Sequence, residues 1–596
     1  MANRWSRLFR HSSASAPELS SAEKEANRDR DLVFSLHPAR VPHPKRLQHL
    51  QKVLTPLERR LLSSLTMVAV VSGLLVVGIL LRSHVHEVAT NGGTLTEGLV
   101  GAPQTINPIL ARPSSVDAAL TKLLFRGLTK VDSSYNIVPD LAESITPSAD
   151  GKTIHVVLRR DQRWSDEQAV TANDVKYTFD TAKDAEFNSP YQSLFAAITT
   201  DVVDDHTVTL TLSKSLPNLM SILTLGLLPQ HIWLDASGAS MALAEYNIKP
   251  ISNGSFQFQS VTKDRAGNVK AFSFVHDKTS GAPNPYVHTL SLKFYTDQNS
   301  AIDALKKDGI DVLGDVSEDE AKPLEKNYPV ASIPFNQVLG IWLNQKTNVA
   351  LRAPEVRQAL AMAIDRNSIL APVGHAASPI ADPVLPGHIG YTTSISHPTG
   401  TLDQANALLE NAGWKLTGDV RIKNKAELAF SFTIPNDEPY TTMANAIVAA
   451  WKKIGVKVAI NAVDPTQLQK NVVKPRSYDA LLFGQLYGAD GDLFPYWHSS
   501  QQTDPGYALA IWSSNKTDQD LAEARTTTDQ SKKVADLIDA QSIIASEVPA
   551  ILLYQSNQVF LHAKNVRGWD TVFGASNADM FAHFQGLYVR TKLAWK

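Results

Sequence analysis

The chain has 596 residues, 57 Lys+Arg against 59 Asp+Glu, and no cysteine. Zero cysteines exclude a disulfide framework, a thiol nucleophile, a cysteine-based metal centre and a lipid carried on cysteine. The near-neutral total hides an asymmetry: residues 1–60 hold 12 Lys+Arg against 6 Asp+Glu, so the remainder is acidic, which argues against nucleic acid or an anionic membrane surface as its main partner.

Residues 11–31, HSSASAPELSSAEKEANRDRD, have almost nothing apolar to bury and are expected to be disordered. Leu47, Leu50, Leu54, Leu57 and Leu61 then recur at spacings of 3, 4, 3 and 4 among Lys, Arg and Gln, a helical face. It reads either as a basic amphipathic helix that lies on the inner leaflet or pairs with another copy, or as a plain lead-in to the apolar run that begins at Leu61.

That run, Leu61 to Leu81, extends for 21 residues without a charge. It has the length a helix needs to cross roughly 30 Å of hydrocarbon. A cleaved export signal fits less well, because its apolar core is about 7 to 15 residues and its leader is short. Arg59 and Arg60 flank one end of the run, and Glu87 lies past the other. The positive-inside rule therefore places the N-terminus in the cytoplasm and residues 83–596 outside, carrying a net charge of about −9.

Beyond a linker at 83–93, which includes the loose ATNGG, some 500 residues exceed what one hydrophobic core usually manages, so two or more lobes are expected. KTIHVVLRRDQRW predicts a strand with Ile154, Val156 and Leu158 on one face, opened by an Asp150-Gly151 turn. VTANDVKYTFDTAKD predicts a helix with Thr171 at the N-cap, Asp174 three residues on, and Val175, Thr178, Phe179 and Ala182 at helical spacing. Further helices are predicted over APEVRQALAMAIDRNSIL, TLDQANALLENAG and YTTMANAIVAAWKKIG, the last running into the strand VKVAINAV. The class is α/β.

PDLAESITPSADGKTIHVVLRRDQRWSDEQAVTANDVKYTFD resembles the signature region of the family 5 extracellular solute-binding proteins, the peptide- and nickel-binding receptors of ABC importers. The resemblance continues in order through GLVGAPQTINPIL before it, then KPISNGSFQF, AIDALKKDGIDVL, IWLNQKTNVALRAPEVRQALAMAIDRNSI, TLDQANALLENAGW, YDALLFGQLYGADGD and SEVPAILLYQ, from about Gly92 to the C-terminus. Two turns depart from it. Asp166-Glu167 stands where the family usually has Asp-Gly, and Gly254-Ser255-Phe256 where it has Gly-Pro-Tyr or Gly-Pro-Phe. Many relatives hang from a lipid on an N-terminal cysteine; here the helix at 61–81 would take over that task.

The resemblance implies a two-lobed, periplasmic-binding-protein-like clam preceded by one transmembrane helix. Residues 1–60 would be a cytoplasmic tail and 61–82 the membrane helix. Lobe I would comprise 94–335 and a return segment 549–596, and lobe II residues 336–548. It also implies capture of oligopeptides between the lobes and delivery to ABC permease subunits, with no cofactor and no metal. A nickel chelate, a sugar or another solute would suit the same fold, and a receptor signalling through its cytoplasmic tail is the alternative of another class.

Candidate ligand contacts centre on QLYGADGDLF. In peptide-binding relatives an Asp at the position of Asp490, after an aromatic at Tyr487, receives the peptide's α-ammonium group. The main chain at Tyr487, Gly488 and Ala489 would pair with the peptide backbone as an added strand. A plain Asp-Gly turn, or a cation on Asp490 and Asp492, are the competing readings of those four residues. Asn107 before Pro108 is the lobe I candidate, with an Asx-Pro turn as its alternative. Trp342 and Asn344 lie near the crossover, and Trp342 suits a core as well as a ligand platform. Enzyme signatures are absent from the sequence: it has no G-x-S-x-G elbow, no Walker-type phosphate loop and no H-E-x-x-H helix.

Overall fold

The structure is a computed structural model that describes residues 54–595, with breaks at 113–115, 133–134, 149–150, 215, 217–218, 489, 528, 572–580, 582–583 and 585, together with a few positions between 20 and 28. The predicted disorder over 11–31, Leu47 and Leu50 of the leucine face, Asp150 and Ala489 therefore lie largely or wholly outside the described residues.

The chain forms two compact units, one of residues 1–88 with 592–596 and one of residues 89–591. In the first, helix α1 (Pro56–His84) is 29 residues long. At 1.5 Å per residue it reaches about 43 Å. Its start is fixed locally. The Thr55 backbone N–H donates to Glu58 Oε2 at 2.9 Å, the Glu58 N–H donates back to Thr55 Oγ1 at 3.4 Å, and Pro56 takes the first helical position, where its missing N–H costs nothing. Leu54 accordingly precedes the helix, and only Leu57 and Leu61 of the leucine face lie within it among the described residues. The apolar side chains from Leu57 to Val76 lie open, Leu65 at 64% and Leu74 at 68% exposure. Of the expected linker, Val85–Ala89 forms a strand, because the C-terminal strand Thr591–Trp595 gives its valine-containing backbone a hydrogen-bonding partner.

The second unit is organised by an 11-stranded mixed sheet. Its strands are β1 (Thr94–Val100), β2 (Phe256–Lys263), β3 (Val269–His276), β4 (Thr289–Tyr295), β5 (Val312–Leu313), β6 (Val330–Leu343), β7 (Ala377–Pro379), β8 (Ala429–Pro435), β9 (Lys457–Val463), β10 (Ala480–Leu486) and β11 (Ala550–His562). The order is β9-β8-β10-β6-β11-β5-β1-β4-β3-β2, with β7 beside β11. Two long antiparallel strands, β6 and β11, thus sit between β10 on one side and β5 on the other. A separate four-stranded antiparallel sheet joins Ala142–Pro147, Thr153–Leu158, Ile198–Asp204 and Thr207–Leu212.

The core changes hands along β6 and β11. One cluster draws on Leu95 through Ile333 and resumes at Phe560; two others draw on Val338 through Tyr554. At the changeover the register slips. Pro334 faces Asn557 but Val338 faces Gln555, so residues 335–337 bulge out of the ladder opposite Ser556. Pro334 has no N–H to give to a ladder, which is why proline in a strand marks a bulge or an edge.

The strongest sequence motifs serve the fold. Asp174 accepts from the Thr171 N–H at 2.7 Å, the Gln230 N–H at 2.8 Å and the buried Trp164 Nε1 at 3.3 Å, so one carboxylate starts helix Ala172–Lys183 and clamps two loops to it. Arg357 is buried on helix Pro354–Met362. It donates to the carbonyls of Leu351, Arg352 and Glu547 at 2.8–3.0 Å, and burial lowers its pKa to about 10. The helix predicted across APEVRQALAMAIDRNSIL breaks in two, because the Asp365 side chain caps a new start at Arg366–Leu370. Glu167 adopts φ +70, the conformation for which glycine is the easy choice.

Candidate functional site

Strand β10 ends at Leu486 and delivers the loop 487–493 beside the β6 bulge. The bulge aims Asn336 at it. The Tyr487 N–H donates to the Asn336 carbonyl at 2.7 Å, and Asn336 Nδ2 donates to the Gly488 carbonyl at 3.2 Å. The remaining oxygen of that amide, Asn336 Oδ1, lies 3.1 Å from His388 Nε2, so the imidazole proton sits on Nε2. Bulges commonly redirect a side chain in this way next to a functional site.

Tyr487 is buried and stacked on Tyr496 with ring centroids 4.4 Å apart, and its phenol oxygen accepts from Trp497 Nε1 at 3.1 Å. Burial raises both phenols, keeping them neutral. The Gly488 N–H donates to the Tyr496 hydroxyl at 2.8 Å. Tyr487 is therefore a support under the loop, and the N–H groups of Tyr487 and Gly488 and the Gly488 carbonyl already have partners within the protein. The added-strand contact expected at Tyr487, Gly488 and Ala489 accordingly has fewer open groups than the sequence suggested; Ala489 itself lies outside the described residues.

The two acids of the loop have different surroundings. Asp492 Oδ2 pairs with Arg525 Nε at 2.9 Å, and that guanidinium lies 4.5 Å over the Phe494 ring. Burial raises the Asp492 pKa, and Arg525 opposes the rise. Asp490 is half-buried, accepts the Asp492 N–H at 3.2 Å, and has no basic partner among the described residues. Its carboxylate folds back over Gly488, where a Cβ would stand 2.7 Å from Oδ1. One carboxylate is neutralised and the other is left as an acceptor for a cation. With Asp492 held by Arg525, a metal on this pair lacks the further donors it would need.

The other candidates have hydrogen-bond partners within the protein. Asn107 is buried; its Oδ1 accepts the Ile109 N–H at 3.1 Å and its amide donates to Asn247 at 3.4 Å, the Asx-turn arrangement. Among the described residues its side-chain hydrogen bonds do not reach the 487–492 loop. Trp342 is buried, donates to the Phe483 carbonyl at 2.9 Å and leans on Trp497. Asn344 holds the turn at 346–347 and the Arg476 carbonyl.

Three further residues matter that the motifs did not single out. Asn336 and His388 complete the loop's support; the signal for Asn336 was Pro334 interrupting a β run. Glu97 on β1 is fully buried, and neither carboxylate oxygen has a hydrogen-bond partner among the described residues. Burial and the nearby Asp315 carboxylate raise its pKa well above the usual range. Asp315 in turn accepts from Gln558 of β11 at 2.8 Å, and burial raises it too. A single glutamate in a strand gave no signal of this.

Residues 136–506 match the family described as bacterial extracellular solute-binding proteins, family 5, middle. The oligopeptide-binding protein AppA of Bacillus subtilis is 26% identical over 493 residues, covering 80% of this chain and 89% of that protein. The glutathione-binding protein GsiB of Pectobacterium atrosepticum is 25% identical over 484 residues, covering 78% and 90%. Among solved structures, the unliganded open form of the periplasmic murein tripeptide binding protein MppA superposes with a TM-score of 0.71 at 19% identity, covering 85% of this chain and 99% of that one.

Proposed function

The chain belongs to the family 5 bacterial extracellular solute-binding proteins, non-enzymatic components of transporters, and from that premise we propose that it captures peptides by their free amino terminus on Asp490. Asp490 carries the reading: it is a carboxylate without a basic partner among the described residues, on a loop braced by Asn336, Tyr496 and Tyr487, next to a second carboxylate that Arg525 has neutralised. An α-ammonium group held there forms a charge-assisted hydrogen bond, about twice as strong as a neutral one. Relatives named for binding an oligopeptide and glutathione are consistent with a ligand that has such a group.

Closure is part of the same reading. Residues 94–335 with 549–596 and residues 336–548 act as two lobes, and β6 and β11 carry the hinge, which the division of the core between Ile333 and Val338 and between Tyr554 and Phe560 supports. The liganded, closed form is then the one that ABC permease subunits distinguish from the open one. Helix α1 anchors the receptor with its N-terminus inside the cell and residues 83–596 outside, its exposed apolar side chains facing lipid.

Native mass spectrometry of the full chain in detergent, purified without denaturation, tests the cargo. Co-purified peptide masses that disappear in Asp490→Ala support this reading. A single non-peptide mass, a metal chelate or a sugar, refutes it and leaves the fold unaffected.

A further inference from the structure

Away from the 487–492 loop, three metal-ligating side chains converge beside the β6–β11 pair. Glu318 opens the short helix Glu318–Ala321, and backbone hydrogen bonds from Leu324, Glu325 and Tyr328 continue its turns. Glu325 lies seven residues on, two turns along the same face. His375 arrives from the other side of β6 in sequence, on the turn Gly374–Ala376 before β7. Its Nδ1 lies 2.8 Å from Glu318 Oε2 and 3.7 Å from Glu325 Oε1. One donor atom from each of the three falls within 4.8 Å of the others.

A proton explains only half of this arrangement. Shared between Nδ1 and Glu318 it makes one good hydrogen bond, while Glu325 at 3.7 Å is too far to join it. A first-row divalent cation satisfies all three. With bonds of about 2.0–2.2 Å to nitrogen and oxygen, ligand atoms of a tetrahedral ion stand about 3.3–3.6 Å apart, between the two separations seen here. The donors are also held in place: the His375 backbone N–H donates to Glu318 Oε2 at 3.0 Å, and Asn557 of β11 donates to the His375 carbonyl at 3.0 Å. The Glu325 and His375 side chains, 39% and 38% exposed, leave open positions for water and a route of entry.

We propose that Glu318, Glu325 and His375 form a binding site for a divalent cation of the Zn²⁺ class, outside the peptide site, joining the segment before β6 to the segment after it. Two carboxylates and one imidazole suit Zn²⁺ by charge and by donor type, since both carboxylate oxygen and neutral imidazole nitrogen are among its usual ligands. Because the donors come from either side of the crossover strands, the bound ion ties the two halves together near their changeover.

The test is calorimetric titration of Zn²⁺ into the full-length protein in detergent, stripped first with EDTA, beside Glu325→Gln and His375→Ala. Glu325→Gln alters an exposed side chain with no short hydrogen bond, so it preserves the fold. Wild type should bind one Zn²⁺ that both variants bind at least tenfold more weakly, and Zn²⁺ should raise the Tm of wild type more than that of Glu325→Gln. Histidines elsewhere are common to all three proteins and cancel in the comparison. Equal Zn²⁺ affinity in wild type and both variants, or no saturable binding by wild type, overturns the proposal.

Discussion

The Tyr135 ring stacks on the imidazole of His388, centroids 4.5 Å apart and planes 26° from parallel. Tyr135 belongs to the part of the chain before β6 and His388 to the part after it, and the same imidazole reaches Asn336 in the bulge. His388 is thus buried between the two parts of the chain, and that burial lowers its pKa to about 4.

That value fixes a pH dependence. An unfolded histidine titrates near 6.5, so between about pH 6.5 and pH 4 the unfolded chain binds the extra proton. The contribution of this ring is complete above pH 6.5 and is lost as pH falls through that window, by up to about 3 kcal/mol. Urea unfolding at pH 7 and pH 5 should show wild type losing roughly 2 kcal/mol more than His388→Gln does. An equal loss in both proteins places the acid sensitivity elsewhere.

Gly491→Ala tests how tightly the loop is seated. Gly491 has φ +64, and a Cβ there would stand 2.7 Å from His388 Nδ1. The backbone conformation alone disfavours alanine by about 1–2 kcal/mol, and the clash pushes the loop away from His388. Lower stability together with weaker peptide retention is expected, measured by denaturation and by the intensity of co-purified masses. Unchanged retention would mean that the loop's position does not govern capture.

Glu97→Gln should stabilise the protein at neutral pH. A carboxyl whose pKa is raised in the fold contributes least when it must ionise, so its cost is absent below the unfolded value near 4.5 and grows as pH rises. Glutamine has no proton to lose, so the substitution removes that pH-dependent cost. A higher urea midpoint for Glu97→Gln at pH 8 than for wild type, with the gap closing toward pH 4, is the expected pattern. A lower midpoint at pH 8 would show that the ionised carboxylate has a stabilising partner.

The fold was legible where the physical signal is local. The 21 uncharged residues within α1, the Thr171–Asp174 cap and the strand at Ile154 depend on spacing alone, and the structure has each of them. The blocks around Trp164 and Arg357 turned out to be clamps within the core, since buried polar groups must find partners in the fold. The site was less legible because its support is assembled from positions far apart in the chain: Asn336, His388 and Tyr496 meet only through the bulge and the β6–β10 pairing. Asn107 shows the converse, a motif whose side chain is divided between its own turn and Asn247.

The proposed anchor can be checked by topology. With one tag at each terminus, protease added to intact spheroplasts should digest the C-terminal tag and spare the N-terminal one. Arginine at Val70, in mid-helix, costs about 2.5–3.5 kcal/mol on insertion and should reduce the membrane-bound fraction. Loss of the N-terminal tag would reverse the assigned orientation.

The proposed peptide capture rests above all on Asp490 receiving a free ammonium group. Calorimetric titration of tri-alanine and N-acetyl-tri-alanine into wild type and Asp490→Asn isolates that contact. A charge-assisted hydrogen bond of about 1.5–3 kcal/mol corresponds to a loss of roughly 10- to 150-fold on acetylation in wild type, the same loss for the free peptide on Asp490→Asn, and little further loss when both changes are combined. If acetylated and free peptide bind wild type equally, Asp490 does not hold the amino terminus.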